Sequence, residues 1–248
     1  MASWQLRVSP IHRCPKCDAR FDPPREAVSE CPQCGIWFHK WNAEPVIVDE
    51  AEPEEMLPAE AAAAPDPISY YGRALTLLLV AVWGWQLGAM DYGDAEINGS
   101  FMHAIVLPIH EAGHIFLIPF GEFMTILGGS LFQVVLPLGI GAAFLLRQRD
   151  PFGAAVCLWW AGASMVDLAP YVWDSLNPQM MLLGGHTGED GPHDWIYLLE
   201  RFGALKHAHG LGVAVHHMGV LMMIGGVGWG GWWLWRWRAS ARAGAGAN

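Results

Sequence analysis

From Ala74 to Leu146 the chain carries no lysine and no arginine. A soluble domain would have to leave part of so long a stretch in water with no basic side chain to solvate it, whereas a bilayer makes no such demand. The rest of the composition agrees. Charged residues make up 15% and apolar residues 53% of the 248 residues, against about 25% charged in ordinary soluble domains. The apolar segments predict an all-α polytopic membrane protein with about five transmembrane helices, at 73–90, 101–119, 130–147, 152–173 and 210–235. Each is near the ~20 residues that cross a bilayer. Trp83, Trp85, Trp159, Trp160 and the run from Trp232 to Trp237 suit interfacial aromatic belts. Gly225-Gly226 and Gly230-Gly231 permit close helix packing.

Residues 1–42 read differently. Cys14-Pro15-Lys16-Cys17 and Cys31-Pro32-Gln33-Cys34 are two CxxC pairs thirteen residues apart. Each pair supplies two thiolates from one tight turn, and four such donors make a tetrahedral zinc site. A zinc ribbon is therefore expected, its structural metal supplying folding energy that so small a unit cannot obtain from burial. No apolar h-region precedes it, so no cleavable signal peptide is expected, and a reducing compartment favours metal over disulfides. His12 and His39 read as ordinary surface residues. Residues 43–69 form an acidic Pro/Ala-rich linker: eight acidic residues and no basic one lie between Glu44 and Asp66. That stretch supplies most of the net charge of −10. Nucleic acid is not expected as a partner, because the N-terminal forty residues carry only six basic against four acidic residues. The domain of interest is 70–238, with 239–248 as a flexible tail.

Orientation is a conflict in the charges. Five spans with a cytoplasmic N-terminus put Arg147, Arg149, Arg236, Arg238 and Arg242 outside, against the positive-inside rule. A re-entrant segment at 119–131, rich in Gly and Pro, would resolve it. The thiolate site favours placing the ribbon in the cytoplasm, which agrees with a bacterial inner membrane.

The chemistry lies in His110-Glu111-Ala112-Gly113-His114, inside the second apolar segment. On a helix, residues four apart share a face, so both imidazoles can bind one zinc. Glu111 then stands beside the metal as general base for a zinc-bound water. Ionisable residues at membrane depth are costly, about 2.5–3.5 kcal/mol for a central acid, and persist where they serve a function. A Gly-rich loop supplies five further donors within nine residues, from His186 through Glu189 and Asp190 to His193 and Asp194. His193 and Asp194 are its candidates for completing the site. His103 lies on the same helix face as His110, about 10 Å away, too far to share the metal. An interior hydrogen bond is its expected role. His216 and His217 can face opposite sides of the last span, and Cys157 reads as packing.

HEAGH on a membrane helix, followed by PFGEFMTILGGSLFQVVLPL, resembles the site-2 protease family of intramembrane zinc metallopeptidases over about residues 100–175. The resemblance implies a cleft among membrane helices. It also implies zinc held by the two histidines and a distant aspartate, and hydrolysis of a peptide bond in a membrane-protein substrate. That family's aspartate stands in a Leu-Asp-Gly context. The nearest counterpart here is Asp167, in Val166-Asp167-Leu168-Ala169-Pro170, with His193 and Asp194 as rivals. The expected inventory is thus one catalytic zinc, one structural zinc, Glu111 as catalytic residue, and a protein partner for the ribbon. Two other readings compete: a non-proteolytic membrane metalloprotein (transporter, sensor or haem-binding bundle) and an inactive scaffold.

Overall fold

The computed structural model divides into two units, Met1–Ala59 and Glu60–Asn248. It describes residues 11–25, 29–38, 66–91 and 96–245, with side chains as far as 240. Most of the expected linker and the last three residues of the expected tail lie outside the described residues, as does His39.

In the N-terminal unit, β1 (Ile11–Arg13) pairs antiparallel with β2 (Arg20–Arg25). Its core is small: Cys14, Cys31 and Phe38 are buried, with Ile11, Phe21 and Ile36 packed against them. The two CxxC turns repeat one hydrogen-bond pattern. Asp18 N–H donates to the Cys14 carbonyl as Gly35 N–H does to that of Cys31, and Cys14 and Cys31 N–H donate to the carbonyls of Ala19 and Ile36. The turn needs a positive φ at its fifth residue, 61° at Asp18 and 71° at Gly35. Glycine meets that without strain, and a short polar side chain tolerates it. Asp18 adds an ion pair with Arg13 at 3.0 Å.

The second unit is helical. Asp66 opens α1 (Pro67–Gly88) by accepting from Ser69 N–H, and Ser100 opens α2 (Phe101–Leu117) by accepting from His103 N–H. Such caps satisfy the first unpaired N–H groups of a helix. A turn at Ile118–Phe120 and Gly121, φ 91°, leads into α3 (Glu122–Ala143), which runs on through a π-turn to Gln148. Asp150 caps α4 (Pro151–Asp174). A loop leads to the short α5 (Asp194–Arg201), and the long α6 (Ala208–Ala245) ends the described chain.

Among the described residues four segments are long and apolar enough to cross a membrane: Phe101–Phe120, Glu122–Gln148, Pro151–Asp174 and Leu205–Ser240. The expected first span is a helix, α1, but it is not among the four. The expected re-entrant stretch also differs. The break is confined to 118–121, and from Glu122 onward the chain is one continuous helix, because glycines inside it close against neighbours rather than open the backbone. The membrane-length helices expose apolar side chains such as Ile115, Phe116, Leu221 and Trp235, all above 60%, as lipid-facing surfaces do.

α4 is the central element, buried over 72% of its apolar window. It meets α6 along a seam of small residues. Gly212, Gly219 and Gly226 abut Ala169, Gly162 and Ala155, so that a Cβ on Gly219 or Gly226 would strike the backbone carbonyl opposite and one on Gly212 would strike the Trp173 side chain. The spacing is seven residues on both helices, which keeps one face in register along an antiparallel pair. α2 and α3 approach as closely where Gly113 and Gly128 face each other's carbonyls. At one end of the unit Arg73 ties α1 to α4 through Asp150 at 2.9 Å, its guanidinium 4.9 Å from the Trp233 ring on α6.

Candidate metal centres

The four N-terminal thiols converge. Cys14 and Cys34 sulfurs are 3.6 Å apart and those of Cys17 and Cys31 are 3.7 Å apart. All four sulfurs lie within 4.8 Å of one another. A disulfide would bring a pair to about 2.05 Å, and these cysteines are free. Four sulfurs on Zn–S bonds of about 2.3 Å would stand about 3.8 Å apart, so the set fits a tetrahedral metal. Electrostatics points the same way. Against the pull of burial, backbone N–H groups of Cys17 and Lys16 bring the Cys14 thiol down to about 6. Burial and the neighbouring sulfurs, outweighing the Ile36 backbone contact, push Cys34 up to about 12. Full ionisation of the cluster requires a cation.

The second cluster is built across α2, α3 and the start of α5. His110 and His114 are one turn apart on α2, their ring centroids 4.8 Å apart. Asp194 Oδ2 stands 3.2 Å from the Nε2 of each. Ligand bonds of about 2.0–2.1 Å in a tetrahedron give edges of about 3.3 Å, which matches. The outward-facing nitrogens are fixed. His114 Nδ1 donates to the Thr125 carbonyl at 2.8 Å, and His110 Nδ1 donates to Gln133 Oε1 at 2.6 Å. The Gln133 amide orientation is set by its own donation to the Ser164 carbonyl at 2.8 Å. With Nδ1 protonated, each neutral imidazole turns an Nε2 lone pair towards the same carboxylate oxygen. Three lone pairs converging on one point repel unless a cation lies between them, and orientation through Nδ1 is how metal-bound histidines are held. Gly129 leaves the space for it: a Cβ there would press against the Nε2 atoms of both histidines.

Asp194 reaches this point because three consecutive residues are tethered. His193 accepts from Ile196 N–H through Nδ1 and sets Nε2 3.5 Å from Asp174 on α4. Asp194 N–H donates to the Tyr171 hydroxyl at 3.0 Å, and Trp195 Nε1 donates to Ser130 Oγ on α3 at 3.1 Å. Glu111 lines the cavity that holds the cluster.

Of the residues singled out in the sequence, His110, His114 and Asp194 come together, and Asp167 does not join them. Asp167 is paired with His103 Nδ1 at 3.0 Å, the interior hydrogen bond expected for His103. His193 braces Asp174 instead of meeting the cluster. His186 lines the same cavity, while His216 is buried and His217 exposed on α6, neither among the described metal-capable groups. Gln133, Thr125, Tyr171 and Ser130 were not anticipated. Gln133 alone left a signal, a fully polar side chain in a run as apolar as Leu131–Leu138.

No protein-family model, curated protein or solved structure matches the chain.

Proposed function

We propose that the membrane unit is an intramembrane zinc metalloendopeptidase acting on membrane-protein substrates, and that the N-terminal unit is a zinc ribbon. The observation that carries this reading is the convergence of His110 Nε2, His114 Nε2 and Asp194 Oδ2 with Glu111 in the same cavity. Three protein ligands leave a fourth position open, the arrangement of catalytic rather than structural zinc. Zinc bound there would supply Lewis acidity, making water a better nucleophile and polarising the scissile carbonyl. Glu111 accepts the water's proton and returns it to the leaving amine. Gln133 and the Thr125 carbonyl keep the imidazoles in the ligating tautomer. Asp194 replaces Asp167 as the third ligand in this reading, and Asp167 serves the cavity through His103. A haem-binding bundle is less well supported, since both site imidazoles come from one helix face and the third donor is a carboxylate.

The ribbon holds the second, structural zinc on Cys14, Cys17, Cys31 and Cys34. It provides an attached module for a protein partner on the cytoplasmic side.

The testing experiment incubates the detergent-purified protein with a polypeptide containing an apolar membrane segment. Cleavage that 1,10-phenanthroline stops and zinc restores is expected; a fully loaded protein that cleaves no such segment removes the peptidase reading. Elemental analysis should give two zinc per chain. Serine at the four cysteines should leave one, and serine variants that still hold two would remove the ribbon assignment.

Gly129→Ala is expected to abolish metal binding in the membrane unit while the helix persists, because alanine is favoured over glycine in a helix by about 1 kcal/mol. Metal content below a tenth of wild type with unchanged helical circular dichroism is the expected pair of readings.

A further inference from the structure

We propose that His103 and Asn98 form a backbone-anchoring subsite for an extended apolar peptide whose reacting bond lies at the His110–His114–Asp194 centre. This rests on the peptidase reading and adds to it where the substrate lies. One cavity is lined both by the metal-capable cluster with Glu111 and by Asn98, His103 and Asp167. The same lining carries the apolar side chains of Leu107, Leu168 and the loop residues Met180–Leu183. His103 precedes His110 by two helical turns, about 10 Å. An extended chain covers that distance in about three residues at ~3.3 Å each.

The dyad is suited to a main chain. Asp167, 6% exposed, holds His103 through Nδ1, which fixes the ring and leaves Nε2 as the ligand-facing nitrogen. Among the described residues Nε2 has no hydrogen-bond partner. A peptide offers an N–H and a C=O at every residue, so it can satisfy Nε2 as acceptor or donor, and the Asn98 amide likewise. The apolar wall accommodates leucine-like side chains. The helix of a membrane segment cannot offer these groups, because its own backbone bonds consume them. The subsite therefore selects a substrate stretch that is already unwound over about three residues.

The test uses zinc chelators of graded length on the full-length protein. Acetohydroxamate contacts only the metal. Two blocked trileucyl hydroxamates extend from it, one with the chelator at the C-terminal end and one at the N-terminal end. In wild type, at least one of these should bind 100-fold or more tighter than acetohydroxamate. In His103→Ala that same compound should lose tenfold or more, while acetohydroxamate and metal content stay unchanged. His103→Gln, which can still donate to Asp167, is read in the same way if the alanine variant takes up no metal. Equal loss for long and short compounds, or no loss for any, overturns the subsite. A loaded wild type that binds no hydroxamate overturns the peptidase reading and the subsite with it.

Discussion

Asp194→Ala should leave the membrane unit without metal, whereas Asp167→Ala should leave it loaded. The two carboxylates stand in different environments. Asp194 shares one oxygen with two Nε2 atoms at 3.2 Å, and Asp167 spends an oxygen on His103 Nδ1 at 3.0 Å. Loss of a ligand removes a bond and a negative charge together, so the fall in affinity should exceed the roughly 10–100-fold that loss of an orienting partner costs. Competition with a chromophoric chelator measures it. The expected order is wild type, then Asp167→Ala close behind, then Asp194→Ala far below. The reverse order would return the third-ligand role to Asp167, with the loop then only covering the cavity.

Glu111→Gln should keep the metal and lose turnover by about 10²–10⁴-fold, the share that a positioned general base contributes. Glutamine matches glutamate in size and still hydrogen-bonds, but it cannot accept the proton. The triad is left in place, since His110, His114 and Asp194 make their hydrogen bonds and ion pairs with partners other than Glu111. Metal content and turnover on the same preparation read the two effects separately. Retained activity in the loaded variant would remove the general-base assignment. A transporter or a scaffold would be indifferent to this change, so the substitution also separates the classes.

The helical membrane architecture was legible from the charge gap and the spacing of apolar segments, because water imposes rules that a long unsolvated run cannot meet. His110 and His114 were legible because a helix converts a four-residue spacing into a shared face. Asp194 was harder to prefer. It lies where a loop enters a short helix, and the tethers that aim it are Tyr171 and Asp174 on the preceding helix and Ser130, on α3 and 65 residues before Trp195. Asp167 was attractive because it is an acid inside an apolar segment, and such an acid must have a partner. The partner proved to be His103, two turns from the motif rather than on it. The turn at 118–121 followed a similar logic. Glycines at 121, 128 and 129 look alike in sequence, yet one turns the chain, one lets α2 approach and one makes room beside the histidines.

The third donor also sets a clock. Asp194 follows His110 by 84 residues, which a ribosome adding about 5–20 residues per second needs roughly 4–17 s to make. During that interval the helix bearing the motif is already synthesised while its carboxylate partner does not exist. A nascent chain thus lacks the complete set of three donors until the loop that ends at Asp194 has been translated and docked against the helices that tether it.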